Sequence, residues 1–381
     1  MIANDNDSQL RYAPIVATST ERKELHMTHR PTATRRHLIA AAAAAAVACV
    51  LGPGTAAAQD KVLNLYSARH YQTDEALYTN FTKANGIRIN RVEADDAGIL
   101  ARLKAEGSAS PADVILLVDA ARLWRGEQEG LFQPMKSATV ERRLPAQFRG
   151  ADAGQGPQWV GISTRARVIV YDKARIKPEQ VDSYDKLAAP ALKGQVCIRS
   201  GSHPYNLSLF GSVLDRLGPQ RTEAWLKGVV DNLARSPKGG DTDQIRSVAA
   251  GECSVAVTNT YYFARLMQSG SAADRDLVAR VGVVFPEQTG AGTHVNISGA
   301  AIARNARNRD AAQQFIEYLL GDDAQRMLAD GNNEYPVVAS VRTDNPALAA
   351  LGRFKAETVP IAKVGANTAT VQQMLDRVGF R

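Results

Sequence analysis

Short apolar runs alternate with amphipathic stretches along most of this 381-residue chain. Apolar runs predict strands at 62–66, 87–92 and 113–118, and the last is apolar almost throughout, as in strands that are covered on both faces. Between them, apolar residues recur every three to four positions over 73–85 and 97–106, which predicts helices. This βαβαβ order predicts an α/β domain with a mostly parallel sheet.

Polar residues mark the predicted helix ends. Thr73 is expected to cap the start of the first helix, and Asn85-Gly86 to end it. Asp119 is expected to cap the helix that follows the third strand. Asn259 or Thr260 is expected to cap a later helix.

The second half of the chain continues the alternation. Residues 159–162 and 167–171 are predicted as two consecutive strands, at the start of a second α/β stretch that extends to about residue 280. Further strands are predicted at 281–285 and 296–303. This order predicts a hinged protein of two α/β lobes, which extended crossing strands join and a cleft separates.

The expected domain organisation interleaves the two lobes. The first lobe comprises residues 59–155 and, after the chain returns to it, residues 281–335. Residues 156–280 form the second lobe, and residues 336–381 form a C-terminal helical segment that packs on it.

Residues 1–58 have the pattern of an export signal. Arg35-Arg36 precedes an apolar run over 38–51, which is shorter than the roughly 20 residues of a membrane-spanning helix, and Ala56-Ala57-Ala58 offers a cleavage site after Ala58. Met27 opens a signal of ordinary length, so synthesis is expected to start there. Paired arginines resemble a twin-arginine signal and also occur in ordinary secretory signals, so both routes to the periplasm stay open.

Composition and charge exclude several classes of function. The chain has 46 Lys and Arg against 39 Asp and Glu, a net charge of +7, and removal of the export segment lowers it to +5. A nucleic-acid-binding face needs clustered basic residues, whereas here they are scattered among acidic ones, so no nucleic-acid partner is expected. The sequence contains 3 cysteines, no CxxC motif and no G-x-S-x-G motif. A disulfide scaffold and a serine hydrolase are therefore not expected.

Tyrosines cluster just beyond the ends of three predicted strands. The clusters are Arg69-His70-Tyr71, Pro204-Tyr205-Asn206 and Asn259-Thr260-Tyr261-Tyr262. Ligands of open α/β sheets bind at the carboxyl ends of the strands. Since the first cluster belongs to the first predicted lobe and the others to the second, we expect all three to face one cleft.

Several phenols and one imidazole suit a hard, highly charged metal ion. The pKa of an isolated tyrosine is about 10, so phenolates at neutral pH need a strong positive charge, which a bound cation supplies. Fe³⁺ suits anionic oxygen ligands, and four phenolates with a neutral His leave it a net charge of −1 that Arg165 or Arg265 can balance. From the residues alone, ordinary packing and stacking on sugars or quaternary amines stay open as alternatives.

Five segments of the chain resemble the periplasmic ferric-ion-binding proteins of bacterial iron ABC importers. They are Leu65–Tyr71, Arg122–Arg125, Ala166–Tyr171, Asn259–Tyr262 and Asn333–Val337, and the resemblance covers essentially all of 59–381 in the same order. It implies the two-lobe periplasmic-binding-protein fold, with mixed and mostly parallel sheets, and the metal ligands His70, Tyr71, Tyr205, Tyr261 and Tyr262. The His-Tyr pair resembles the subgroup that binds iron without a synergistic anion, in which Arg165 and Arg265 tune the charge.

The resemblance implies a solute-binding protein that captures Fe(III) as its transported ligand and hands it to an inner-membrane ABC permease. We expect a monomer with no organic cofactor and no enzymatic activity. Two alternatives stay open: the same fold binding a polyamine or phosphonate, and a periplasmic enzyme with a tyrosine-ligated metal. Against the enzyme, every candidate ligand is needed to saturate the ion, and no general base stands beside it.

The remaining histidines and cysteines leave further questions. His203, next to Tyr205, is a spare ligand or a surface residue, of which we expect the latter, and His294 is expected to be structural. Cys197 and Cys253 each precede a candidate ligand by eight residues, which indicates neighbouring parallel strands in similar register. A disulfide in the oxidising periplasm and two buried free thiols are equally open.

Overall fold

The computed structural model describes residues 61–69 and 71–380. The export segment and His70 lie outside the described residues, so the expectations about them stay predictions. The strands are β1 Val62–Ser67, β2 Arg88–Glu93, β3 Val114–Leu117, β4 Phe132–Gln133, β5 Trp159–Asp172, β6 Val196–Cys197, β7 Val255–Asn259, β8 Val281–Val284 and β9 Val295–Ala303. The α-helices are α1 Glu75–Asn85, α2 Asp96–Glu106, α3 Ala120–Gln128, α4 Ala138–Arg143, α5 Pro204–Leu217, α6 Pro219–Asp231, α7 Asp241–Ala249, α8 Thr260–Met267, α9 Ala272–Arg280, α10 Arg309–Leu319, α11 Asp322–Asn332, α12 Pro346–Leu351, α13 Ile361–Ala366 and α14 Thr368–Val378. Of the helices within these residues, none has the length and apolar character that crossing a membrane requires.

The described strands form a mixed sheet in the order β2-β1-β3-β9-β5-β7-β6, with β4 beside β9 and β8 beside β5. Parallel pairs lie at both ends: β1 with β2 and β3, and β6 with β7. Antiparallel pairs occupy the centre, where β9 lies between β3 and β5. Tyr71 follows the carboxyl end of β1, and Tyr261 and Tyr262 follow the carboxyl end of β7.

Strand β5 connects the two halves of this sheet. Its first part, Trp159–Ala166, pairs with β9, and its second part, from Arg167 onward, pairs with β7 and β8. One large hydrophobic core surrounds β1, β3 and β9, and a separate core lies beneath α5, α6 and α14. This is the predicted two-lobe α/β fold with a crossing strand between the lobes. The sheet is mixed as expected, but most of its described strand pairs are antiparallel rather than parallel, because β5 and β9 cross the centre.

The prediction of two separate strands at 159–162 and 167–171 is wrong, because the chain continues as one strand. Polar residues interrupt the apolar pattern there, yet their backbones stay paired with β9 apart from an irregularity between Gly161 and Ser163. The side chains find buried partners: Ser163 Oγ donates to Glu334 at 3.0 Å, and Arg165 Nη1 donates to Ser298 Oγ at 3.1 Å. The polar residues in the middle of β5 therefore have the sequence pattern of a loop, although they belong to a buried strand.

The first helix also begins later than predicted. A 3₁₀ turn at Gln72–Asp74 precedes α1, and the Thr73 hydroxyl donates to Asn332 Oδ1 at 2.6 Å instead of capping a helix. The predicted end is confirmed, since Gly86 has a φ of +65°. The predicted cap of α3 is confirmed too, because the Asp119 carboxylate accepts from the Ala121 N–H.

The segments after residue 280 pack on both halves. Strand β8 pairs with β5 on the second-lobe side, so the return of the chain to the first lobe runs along β9. Helix α14 places Val371, Met374 and Leu375 in the second core, whereas α13 lies between α3 and α5. The lobe boundaries at 155, 280 and 335 stay predictions.

Cys197 and Cys253 form a disulfide, which settles the question that the sequence left open. The bond joins Cys197, the last residue of β6, to Cys253, which lies two residues before the start of β7. These two strands are parallel, with Val196 opposite Val255. It closes a loop with a sequence separation of 56 that contains the whole Tyr205 segment.

We expect the variant Cys197→Ser of residues 59–381 to lose about 2–4 kcal/mol of unfolding free energy, because the cross-link restricts the unfolded chain. Urea unfolding with and without a reductant measures this loss. The reductant should lower the stability of the wild type to the level of the variant and leave the variant unchanged. Equal stability of the oxidised and reduced wild type would contradict a stabilising bridge.

Candidate metal centre

Three elements carry the four predicted tyrosine ligands to one place. Tyr71 follows β1, Tyr205 is the second residue of α5, and Tyr261 and Tyr262 lie in the first turn of α8. The Tyr261 hydroxyl donates to the Tyr205 hydroxyl at 3.2 Å, and the rings of Tyr261 and Tyr262 are 4.2 Å apart between centroids. The two tyrosine segments of the second lobe thus meet as the sequence predicted.

Arg265 joins these tyrosines to Tyr71 of the first lobe. Its guanidinium carbon lies 5.2 Å from the ring centroid of Tyr71, 5.0 Å from that of Tyr261 and 5.9 Å from that of Tyr262. A cation at this distance from several aromatic faces is attracted to them, and it opposes the negative charge of a phenolate. Arg265, one turn beyond the Tyr-Tyr pair, therefore lies beside the candidate ligands, and its charge-balancing role stays a prediction.

Arg165 approaches the tyrosines from the crossing strand. The side chain is buried, with its guanidinium carbon 5.6 Å from the Tyr205 ring centroid and its Nη1 4.0 Å from Glu334. Its Nε and Nη2 have no hydrogen-bond partner among the described residues. A buried guanidinium with unused donors stabilises negative charge that develops nearby.

Burial is the main cause that raises the pKa of Tyr71, Tyr205 and Tyr261 above the ordinary value of a phenol. Neighbouring phenols raise the pKa of Tyr205 and Tyr261 further, whereas the positive charge of Arg165 lowers the pKa of all three. All three hydroxyls therefore keep their protons at neutral pH until a stronger positive charge arrives.

Buried ion pairs that the sequence did not reveal hold the first-lobe segment. Arg69, directly before the candidate ligands His70 and Tyr71, pairs with Asp74 at 2.8 Å and with Glu334 at 3.0 Å. All three side chains are almost wholly buried. The only sequence signal for this network is the arginine in the Arg69-His70-Tyr71 cluster. Its partner Glu334 is 265 positions away along the chain, so the sequence pattern could not pair the two.

Other metal-binding chemistry is missing from the part of the chain that the structure describes. Within it, no group of three His, Cys, Asp or Glu side chains is placed to hold a metal ion. The candidate centre therefore offers phenol oxygens, which suit a hard and highly charged cation.

His203, which was expected at the surface, is half-buried and caps a helix, and whether it can also bind the metal stays open. Its half-buried ring lies edge-on to Tyr205 at 4.5 Å, and its Nδ1 accepts the Tyr205 N–H at 3.2 Å, which caps α5. Burial and the nearby charges of Arg199 and Arg167 lower the pKa of His203 to about 3, so the ring is neutral. In a neutral ring whose Nδ1 accepts, the remaining proton lies on Nε2.

His294 has the structural role that the sequence predicted. The side chain is buried, and its Nδ1 contacts the carboxylate of Glu357. Its backbone N–H donates to the Tyr184 hydroxyl at 3.2 Å. These contacts hold the residue that directly precedes β9.

We expect His203→Ala to lower the unfolding free energy by about 1 kcal/mol through loss of the helix cap, and His203→Asn to restore most of it, because Asn is a preferred N-cap residue. Chemical unfolding of both variants measures the difference. Loss of metal binding in His203→Asn at retained stability would instead identify His203 as a ligand.

Comparisons with known proteins agree with this architecture. Residues 109–355 match the family model described as bacterial extracellular solute-binding protein. The chain is 44% identical over 323 residues to Iron uptake protein A1 of Synechocystis sp., which covers 85% of this chain and 88% of that protein.

Two solved structures are similar to this chain in both fold and sequence. The Trichodesmium protein IdiA (FutA), determined in complex with iron and citrate ligands, is 43% identical, with a TM-score of 0.80 over 84% of this chain and 100% of that one. The ferric binding protein from Campylobacter jejuni is 38% identical, with a TM-score of 0.78 over the same shares. The chain described here therefore belongs to the bacterial extracellular solute-binding proteins, a family of two-lobe binding proteins.

Proposed function

We propose that this protein captures Fe(III) between its lobes in the periplasm and delivers it to an ABC-type importer. The observation that carries the proposal is the convergence of four tyrosines. Arg265 lies beside the rings of Tyr71, Tyr261 and Tyr262, and the Tyr261 hydroxyl donates to that of Tyr205. The proposed ligands are these four phenolates and His70. The relatives named above, an iron uptake protein and a ferric binding protein, support the same cargo.

The electrostatics favour a trivalent ion over a softer or weaker one. Displacing protons from phenols whose pKa is raised requires a cation that binds oxygen anions strongly. Four phenolates then exceed the charge of Fe³⁺ by one, and the neighbouring guanidinium groups of Arg165 and Arg265 compensate the excess. The same arginines would repel a cationic polyamine, which weighs against that alternative.

The proposed mechanism is closure of the lobes around the ion. Tyr205 and Tyr261 already meet within the second lobe, so the iron binds there first. Tyr71 and His70 complete the coordination when the first lobe approaches, and Arg265 then faces Tyr71. Ser208 of α5 also donates to Asp119, the N-cap residue of α3, at 3.1 Å. Because only the closed form supplies every ligand, the ion stabilises it.

Release follows when the lobes reopen at the permease or when the ion is reduced, since Fe²⁺ binds phenolate less strongly. The relatives named above are an iron uptake protein and a ferric binding protein, which supports a carrier over an enzyme. We therefore propose a carrier, acting as a monomer, with no organic cofactor.

Iron bound by phenolates gives a red-orange charge-transfer band. Ferric citrate added to purified residues 59–381 should produce this band, and Tyr261→Phe and Tyr262→Phe should each weaken it. Each should also lower the affinity, measured by competition with citrate, by more than about 100-fold, the upper range for residues that only support a ligand.

Tyr318→Phe is the matched control, because Tyr318 lies in α10 and donates to the Leu77 carbonyl outside the site. It should bind iron as the wild type does. A colourless wild type would overturn the iron proposal, and full binding in both Tyr261 and Tyr262 variants would reduce those tyrosines to packing.

Iron binding should release protons. Each phenol that keeps its proton in the empty protein gives it up on coordination, so about four protons should leave per iron at neutral pH. Calorimetric titration in two buffers of different ionisation enthalpy, corrected for citrate, measures this number, and affinity should fall steeply as pH falls. Release of fewer than two protons would contradict coordination by four phenolates.

A further inference from the structure

A buried carboxylate lies behind the tyrosines of the second lobe. Asp241, the first residue of α7, has no exposed surface. It accepts from Arg167 Nη1 at 2.5 Å, from Arg199 Nη1 at 3.2 Å and from the backbone N–H of Asn259 at 2.7 Å. The sequence pattern did not identify Asp241 as a functional residue, because α7 has the pattern of an ordinary amphipathic helix.

One branch of this network leads to Tyr205. Arg167 Nη2 donates to Oδ1 of Asn206, the residue next to Tyr205, at 2.6 Å. Asn206 Nδ2 donates in turn to the carbonyls of Arg199 and Ser200 at 3.1 and 3.0 Å. The guanidinium carbons of Arg199 and Arg167 also lie 5.2 and 5.9 Å from the Tyr205 ring centroid. Asp241 thus fixes both guanidinium groups beside this ring.

The other branch leads to Tyr261 and Tyr262. Asn259 is the N-cap residue of α8, but its side chain makes no capping hydrogen bond. Its backbone N–H is held by Asp241 instead, two residues before Tyr261. The start of the tyrosine helix is therefore anchored to the same carboxylate as the Tyr205 segment.

We propose that Asp241 is a positioning residue that sets the spacing of Tyr205 and Tyr261, and so prepares the second lobe to receive the metal before the lobes close. This inference rests on the proposed function. Two separate segments carry these tyrosines, and Asp241 reaches both, directly at Asn259 and through Arg167 at Asn206. The 3.2 Å separation of the two hydroxyls follows from that shared anchor.

A purely electrostatic role of Asp241 and a positioning role predict opposite changes in iron affinity when Asp241 is replaced. Removing the negative charge of Asp241 would leave Arg167 and Arg199 uncompensated beside Tyr205, which favours the phenolate and tightens iron binding. A positioning role predicts weaker binding, because an unpaired buried Arg167 shifts and releases Asn206. The sign of the change therefore separates the two roles.

The test compares Asp241→Asn with Asp113→Asn in residues 59–381. Asp113 is equally buried and accepts from the backbone N–H groups of Arg307 and Asn308, but it precedes β3, at the strand end away from the tyrosines. Both variants should be less stable than the wild type in urea. Asp241→Asn alone should weaken iron binding, by about 10- to 100-fold, the range for residues that orient a metal ligand.

The visible band is the readout that a merely structural role leaves unchanged. In Asp241→Asn the band should move to longer wavelength, because an iron that receives less phenolate donation accepts charge at lower energy. Asn206→Ala, which breaks only the Tyr205 branch, should shift the band in the same direction. The double variant should lose less affinity than the sum of the single losses, since both act through one path.

The outcomes separate this inference from the proposed function. A wild type without iron binding defeats the function itself. If the wild type binds and Asp241→Asn keeps its band and affinity, as Asp113→Asn should, Asp241 is only structural. If Asp241→Asn binds more tightly, its role is electrostatic and the positioning role is wrong. Should Asp241→Asn fail to fold, the Asn206→Ala band decides in the same way.

Discussion

A buried phenol keeps its proton at neutral pH, and the proposed site depends on this constraint. Burial raises the pKa of Tyr71, Tyr205 and Tyr261, so without a strong cation their hydroxyls stay neutral, and that of Tyr261 donates a hydrogen bond to that of Tyr205. A weakly charged ion does not repay their deprotonation, whereas a trivalent ion does. In the proposed mechanism, selectivity for the cargo therefore begins with the free energy that is needed to deprotonate the phenols.

One strand supplies much of the surrounding charge. Successive side chains of a strand point to opposite faces, so Ser163, Arg165 and Arg167 share one face of β5. Ser163 reaches Glu334, Arg165 reaches Tyr205, and Arg167 reaches Asp241. Since β5 pairs with the sheets of both lobes, the crossing strand that links the lobes also carries Arg165, one of the two arginines proposed to balance the ligands.

The sequence predicted the parts of this arrangement that depend on local pattern. Strand ends, the Tyr-Tyr helix start and the offsets of Cys197 and Cys253 are short-range signals, and they led to the two-lobe α/β fold, the candidate phenols and a possible bridge. The partners of buried charges are long-range: Glu334 lies far along the chain from Arg69, and Asp241 far from Arg167. Polar residues inside β5 also broke the apolar pattern, so one strand was read as two.

Resonance Raman spectroscopy of the iron-loaded protein tests the central claim, that tyrosine oxygens bind the ion, most directly. With excitation in the visible band, the account predicts enhanced phenolate ring vibrations that shift when the protein contains ring-deuterated tyrosine. A loaded protein whose enhanced vibrations are indifferent to tyrosine deuteration would contradict the account.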